Sequence, residues 1–120
     1  MSTSRVAILN DSVDRAAVLD RVGGDESLLR EITEIFLTEY PSLLEEIRSA
    51  VCAGDPSKLE RFAHTLKGSV ANFGAAEATR AAYQLEQIGR DQQLEQAPAA
   101  LRALELHFSA LRPALEDIVR

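Results

Sequence analysis

The sequence predicts an all-α protein, an antiparallel four-helix bundle with an additional short N-terminal helix. Three observations lead there. Ala, Leu, Glu and Arg, all good helix formers, recur throughout 120 residues that contain only 6 Gly and 4 Pro. Apolar residues recur at helical spacing over long stretches. There is no Trp and little clustering of β-branched residues, which argues against a sandwich or barrel. At this length the chain forms one domain with a modest core.

Residues 1–13 read as an N-terminal arm whose Val6, Ala7, Ile8 and Leu9 pack against the domain formed by residues 14–120. Asp14 caps a short helix ending near Arg21, and Gly23-Gly24-Asp25 breaks the chain. A second helix runs from Glu26 to Val51 with Asp25 as its cap; its stripe is Leu28, Ile32, Ile35, Phe36, Leu43, Ile47 and Val51. The stripe stays in phase across Pro41, so one bent helix is expected rather than two. Gly54 ends it. Asp55 caps the third helix, Pro56 takes its first position, and Leu59, Phe62, Ala63, Leu66, Val70 and Phe73 make its inner face as far as Asn72. Gly74 terminates it. The fourth helix covers Ala76–Ile88, with Ala78, Ala81, Ala82, Leu85 and Ile88 inward and Gly89 as its end. Residues 90–97 form a polar link. The last helix, Pro98–Ile118, carries Leu101, Leu104, Phe108, Leu111, Leu115 and Ile118 and bends near Pro113. One-sided helices joined by short links must bury their stripes against one another.

The net charge is −6, which disfavours nonspecific nucleic-acid binding. Residues 54–80 are the exception: Lys58, Arg61, Lys67 and Arg80 face Asp55, Glu60 and Glu77, a local net of +1. Such a patch suits a phosphoryl group or an acidic pocket on a partner, though ordinary surface variation accounts for it equally well. Cys52 is the sole cysteine and is expected as a packed thiol. No metal-ligand spacing, membrane-length apolar run or signal-peptide pattern is present, so the cytoplasm is the default compartment.

The basic segment contains Phe62-Ala63-His64-Thr65-Leu66-Lys67-Gly68-Ser69. At 100° per residue, Phe62 and Leu66 face inward and His64 faces water, with Lys67 and Gly68 as its neighbours one turn on. A mid-helix glycine costs about 0.5–1 kcal/mol relative to alanine. Clearing room beside His64 for a phosphoryl group offsets that cost; so does a tight interhelix contact. Lys67 offers a mobile cation to phosphate oxygens; Ser69 is a second hydrogen-bond donor, but its angle places it nearer a flank, where a bond to its own helix carbonyl is the alternative. Neutral imidazole has a nucleophilic nitrogen. The chain has neither GxxxxGK[ST] nor a glycine-rich kinase loop, and no carboxylate cluster for Mg²⁺. From these residues alone, a phosphoryl carrier and an ordinary surface histidine remain open. His107, at the edge of the last stripe, reads as half-buried or surface.

The stretch His64-Thr65-Leu66-Lys67-Gly68-Ser69-Val70-Ala71-Asn72-Phe73-Gly74-Ala75 closely resembles the histidine-containing phosphotransfer (HPt) family, whose motif runs H-x-L-K-G-S-S-x-x-x-G-A. The helix order and Leu85-Glu86 before Gly89-Arg90 resemble it as well, over residues 14–118. The resemblance implies that His64 is the phosphoacceptor, that Lys67 holds the phosphoryl group, and that Gly68 leaves space beside it. Arg61, Ser69 and Ala71 are the expected partner-binding residues, with nearby residues of the second helix. The implied partners are response-regulator receiver domains and a hybrid sensor histidine kinase. No cofactor or metal is expected on this chain; Mg²⁺ is expected in the partner receiver. A monomer without nucleic-acid or membrane contacts is expected. Val70 departs from the motif, where a second serine is common, but it faces inward. The competing class is a helical module that binds a receiver or kinase without accepting phosphate.

Overall fold

The computed structural model describes residues 13–120, which among themselves form only helices and turns; the expected packing of Val6–Leu9 lies outside the described residues. Helix α1 spans Arg15–Arg21, α2 Glu26–Ala53, α3 Pro56–Ala71, α4 Ala76–Arg90 and α5 Ala97–Val119, with a short 3₁₀ turn at Leu94–Gln96 before α5. Helices α2–α5 close a ring in which α2 packs on α3 and α5, and α4 packs on α3 and α5. This is the four-helix bundle the stripes require, with α1 added.

The starts of the helices follow from side chains that satisfy otherwise unpaired backbone N–H groups. Asp14, Asp25 and Asp55 accept from the amides of Ala17, Leu28 and Lys58, each at 3.0 Å. Gly54, with φ of +67°, closes α2 in the left-handed conformation that glycine adopts without a Cβ penalty. Gly74 adds a contact role to the same conformation. A Cβ there would meet the Asp14 Cβ at 2.7 Å, and the Asp14 amide donates to the Phe73 carbonyl at 2.8 Å. Arg21 donates to the Asn72 carbonyl at 3.0 Å, so α1 is pinned over the α3–α4 turn and buries Val18.

The core runs the length of the bundle. Leu59, Ala63, Leu66 and Val70 of α3 are fully buried, as are Leu104 and Leu111 of α5. Phe36, Tyr40, Phe73 and Phe108 form one aromatic cluster with ring centroids 4.9–6.2 Å apart, spacings at which tilted and offset rings attract. Arg112 donates to the Tyr40 hydroxyl at 2.7 Å. α2 and α5 run unbroken through Pro41 and Pro113. No helix of the described residues is long and apolar enough to cross a membrane.

Four expectations are corrected. The buried face of α2 is Leu29, Thr33, Phe36, Tyr40, Leu44, Ile47 and Ala50; Leu28 and Ile35 are exposed, and Ile32, Leu43 and Val51 flank the core. The apolar pattern on α2 is wider than its buried stripe, so the phase was off by about one residue. Phe62 is half-buried rather than inward. Cys52 is exposed, because it sits about 200° around the helix from fully buried Ala50. Gly89 does not end α4. It lies inside the helix, where a Cβ would be 2.7 Å from the Glu60 amide nitrogen and 2.8 Å from the Pro56 carbonyl oxygen. The glycine is there to let α4 touch the backbone of α3, and the following Arg90 is thereby helical.

A methyl group at this crossing has only backbone to displace. Gly89→Ala is expected to destabilise the fold by about 1–3 kcal/mol through overpacking, despite alanine's better helix propensity. A urea midpoint at or above wild type would show that the helices part without cost.

Candidate functional site

Because Leu59, Ala63, Leu66 and Val70 hold the inner face of α3, His64 stands on its outer face, and its side chain is 65% exposed. The ring is not free to turn. Its Nδ1 lies 3.0 Å from Oε2 of Glu86 on α4. An ionised carboxylate can only accept, so Nδ1 carries the proton and donates, which leaves the lone pair on Nε2, the outward nitrogen.

Glu86 is the centre of the arrangement. Its side chain is only 3% exposed. Oε2 also accepts from Nη2 of Arg90 at 3.0 Å, and Oε1 lies 2.7 Å from the Lys67 ammonium. Arg90 donates through Nε to Glu60 at 3.0 Å, tying α4 back to α3 one turn before His64. Burial pushes the Glu86 carboxyl up, but the hydrogen bonds and charges of Lys67 and His64 outweigh it and hold the group below its ordinary value. The Lys67 ammonium also lies over the Tyr83 ring, 5.1 Å from its centroid.

Gly68 is open: a Cβ built there meets nothing within 4 Å. A tight interhelix contact therefore does not account for this glycine, and the position its side chain would take, one turn from His64, is open. Arg61 lies over the Phe62 ring at 4.8 Å and shares a surface recess with Ser57, Glu60, His64, Glu86 and Arg90. Ser69 donates to the Thr65 carbonyl at 3.1 Å, the intrahelical one of its two alternatives, and faces the α2 side beside Thr38, Glu39 and Ser42. Ala71 borders a recess with Lys67 and Tyr83. The structure thus brings His64, Lys67 and the gap at Gly68 together, leaves Arg61 on the rim, and turns Ser69 away. His107 is half-buried on α5. The described residues hold no group of three or more His, Cys, Asp or Glu placed to share a metal ion.

Glu86, Arg90 and Tyr83 were missed as site residues by reasoning from sequence. A signal for Glu86 exists. It follows Ala78 and Ala82 at intervals of four, so a carboxylate falls on the apolar stripe of α4, where only a partnered one is tolerated. Arg90 stands four residues beyond, the spacing of a helical ion pair.

Fold and site together define a class: a helical bundle presenting an exposed histidine whose inner nitrogen is held by a buried, cation-flanked carboxylate. The model of the Hpt domain matches residues 31–114, and the chain belongs to that family. Among solved structures it is similar to histidine-containing phosphotransfer protein B (HptB) from Pseudomonas aeruginosa PAO1, at 25% identity and a TM-score of 0.81 over 88% of this chain and 91% of that one. No curated protein sequence matches it. The role of the chain is histidine phosphotransfer in phosphorelay signalling.

Two outcomes follow from this geometry. The folded pKa of Glu86 lies below its ordinary value of 4.5. Its ionisation therefore favours the folded state above that value, and the gain is lost as pH falls through the lowered one. The stability difference between wild type and Glu86→Gln should be full near neutrality and shrink in acid; a difference independent of pH in urea titrations would show that the charge contributes nothing. Gly68→Ala should raise stability by about 0.5–1 kcal/mol, the reverse of Gly89→Ala, and a lowered urea midpoint would mean that the space is not open.

Proposed function

We propose that His64 accepts a phosphoryl group on Nε2 from the phosphorylated aspartate of a receiver domain and passes it reversibly to the aspartate of a second receiver. The observation that carries this reading is the pinned ring: Nδ1 is bound to Glu86 at 3.0 Å, so the free lone pair is on the other ring nitrogen of an exposed side chain, and the position one turn on, at Gly68, is vacant. In the forward step the Nε2 lone pair attacks phosphorus, and the P–O bond to the donor aspartate breaks. The imidazole gains positive character as the N–P bond forms. Glu86 offsets it by holding the Nδ1 proton, and the same charge keeps the ring a competent leaving group for the return step.

Lys67 lies within one turn of His64 and is placed to share its ammonium between Glu86 and the phosphoryl oxygens. Phosphoryl transfer needs charge neutralisation at the transferring group, and the Mg²⁺ for it belongs in the partner receiver. The receiver docks on the face that carries Arg61, Gly68 and Ala71 and continues past Ser69 to Glu39 and Leu43 of α2. A hybrid sensor histidine kinase is the upstream partner, and we place the chain in the cytoplasm as a monomer. The alternative, a receiver-binding module that takes no phosphate, leaves the buried Glu86 carboxylate beneath His64 without a purpose.

Incubation with a radiolabelled phosphoreceiver and Mg²⁺ should label wild type and leave His64→Gln unlabelled, with its thermal midpoint little changed. Glu86→Gln should slow transfer about ten- to a hundredfold, the worth of a hydrogen bond to a charged group. Label on the His64 variant, or none on wild type from any receiver encoded in the same genome, contradicts the proposal.

A further inference from the structure

Tyr83 is a large aromatic side chain left 47% exposed, outside the core and outside the carboxylate network. It stands three residues before Glu86 on α4, so both project toward α3. The Lys67 ammonium lies 5.1 Å from the ring centroid and 2.7 Å from Glu86 Oε1. Its side chain is only 25% exposed, little for a residue type that is normally solvated. Lys67 and Tyr83 together border a recess, completed by Ala71, Ala76, Thr79 and Arg80, that opens to water. Without the ring, that recess widens, and the Lys67 ammonium could swing further into it and away from His64.

Resting on the phosphoacceptor reading above, we infer that Tyr83 is a positioning residue for Lys67: its ring face confines the ammonium between Glu86 and the Nε2 side of His64. The chemistry favours an aromatic for this task. A carboxylate or carbonyl wall would hold the ammonium by taking its N–H donors. The ring quadrupole attracts the charge without accepting a conventional hydrogen bond. The donors not used by Glu86 stay available to phosphoryl oxygens, and the move from carboxylate to phosphate is a short shift rather than a search through solvent.

The phenol hydroxyl has no part in this argument, which separates Tyr83→Phe from Tyr83→Leu. Two measurements test it. The first needs no phosphate. In wild type and Tyr83→Phe, the Lys67 ε-methylene protons should be shifted upfield by the ring current in NMR spectra, and Tyr83→Leu should abolish the shift; unshifted protons in wild type overturn the inference. The second uses phosphoramidate as donor, so that no receiver surface is involved. The Nε2–P bond forms as the donor's P–N bond breaks and ammonia leaves. Tyr83→Leu should slow labelling of His64 roughly two- to fivefold, the worth of an exposed cation–π contact, and Tyr83→Phe should match wild type. In a Lys67→Ala background Tyr83→Leu should have no further effect. An equal loss in that background, or a loss in Tyr83→Phe, overturns the assignment. Failure of wild type and His64→Gln to differ in labelling would instead refute the phosphoacceptor reading, and the NMR shift would still decide what Tyr83 does to Lys67.

Discussion

The buried carboxylate of Glu86 organises everything around it. An isolated charge taken from water is costly, and burial of this kind is tolerated only with partners that satisfy it. Glu86 has three: His64 and Lys67 from α3, and Arg90 from its own helix. The demand of one carboxylate for compensation thus fixes the rotamer of the histidine, its tautomer, and the resting place of the lysine. Buried ion clusters are often replaceable by apolar side chains without loss of stability. The retention of this one is understandable as pre-organisation of a reactive nitrogen, achieved by groups that rest on rigid helices rather than loops.

That carboxylate can reach His64 only because α3 and α4 approach closely, and two glycines divide the labour. Gly89 is filled space: Pro56 and Glu60 backbone atoms occupy the position a Cβ would take. It brings the C-terminal half of α4 against α3 and carries Glu86 and Arg90 to the His64 level. Gly68 is empty space on the outer side of the same pairing. Both depart from good helix propensity, one to draw two backbones together and one to keep a surface bare. The small residues Ala78, Ala81 and Ala82, all buried, extend the close approach along α4.

The sequence made the helices and the outward histidine legible because both depend on local rules. Asp14, Asp25 and Asp55 cap where capping residues precede an apolar stripe, and His64 faces water because Leu59, Ala63 and Leu66 set the phase of α3. What was not legible depends on tertiary distance. Gly89 has the same local signature as a helix end, and only the neighbouring backbone distinguishes the two. On α2 the apolar pattern is broad enough that Leu28 and Ile35 read as core along with Phe36, and only the positions of α3 and α5 select Leu29, Thr33 and Tyr40 in their place. Glu86 was visible as a carboxylate on an apolar stripe, with Arg90 at ion-pair spacing, but its two partners on α3 lie 19 and 22 positions earlier in the chain, and no local pattern names them. Lys67, expected as a mobile cation, turned out to be held between a carboxylate and an aromatic ring.

Charge balance then bears on how the proposed phosphoacceptor site would carry phosphate rather than trap it. With His64 neutral, Lys67, Arg90 and the rim residue Arg61 stand against Glu86 and Glu60, a surplus of one positive charge. A phosphoryl group brings about −1.5 to −2. On the phosphoacceptor reading, its arrival overdraws that surplus, and part of the local cationic charge stays committed to the two carboxylates. A site with three uncommitted cations would bind phosphate tightly and release it slowly. Here the buried carboxylate competes for the same lysine the phosphoryl group needs, which keeps the two states of the histidine closer in free energy. On that same reading, the carboxylate that leaves the lone pair on Nε2 also limits how firmly the product is held, and a reversible carrier requires both.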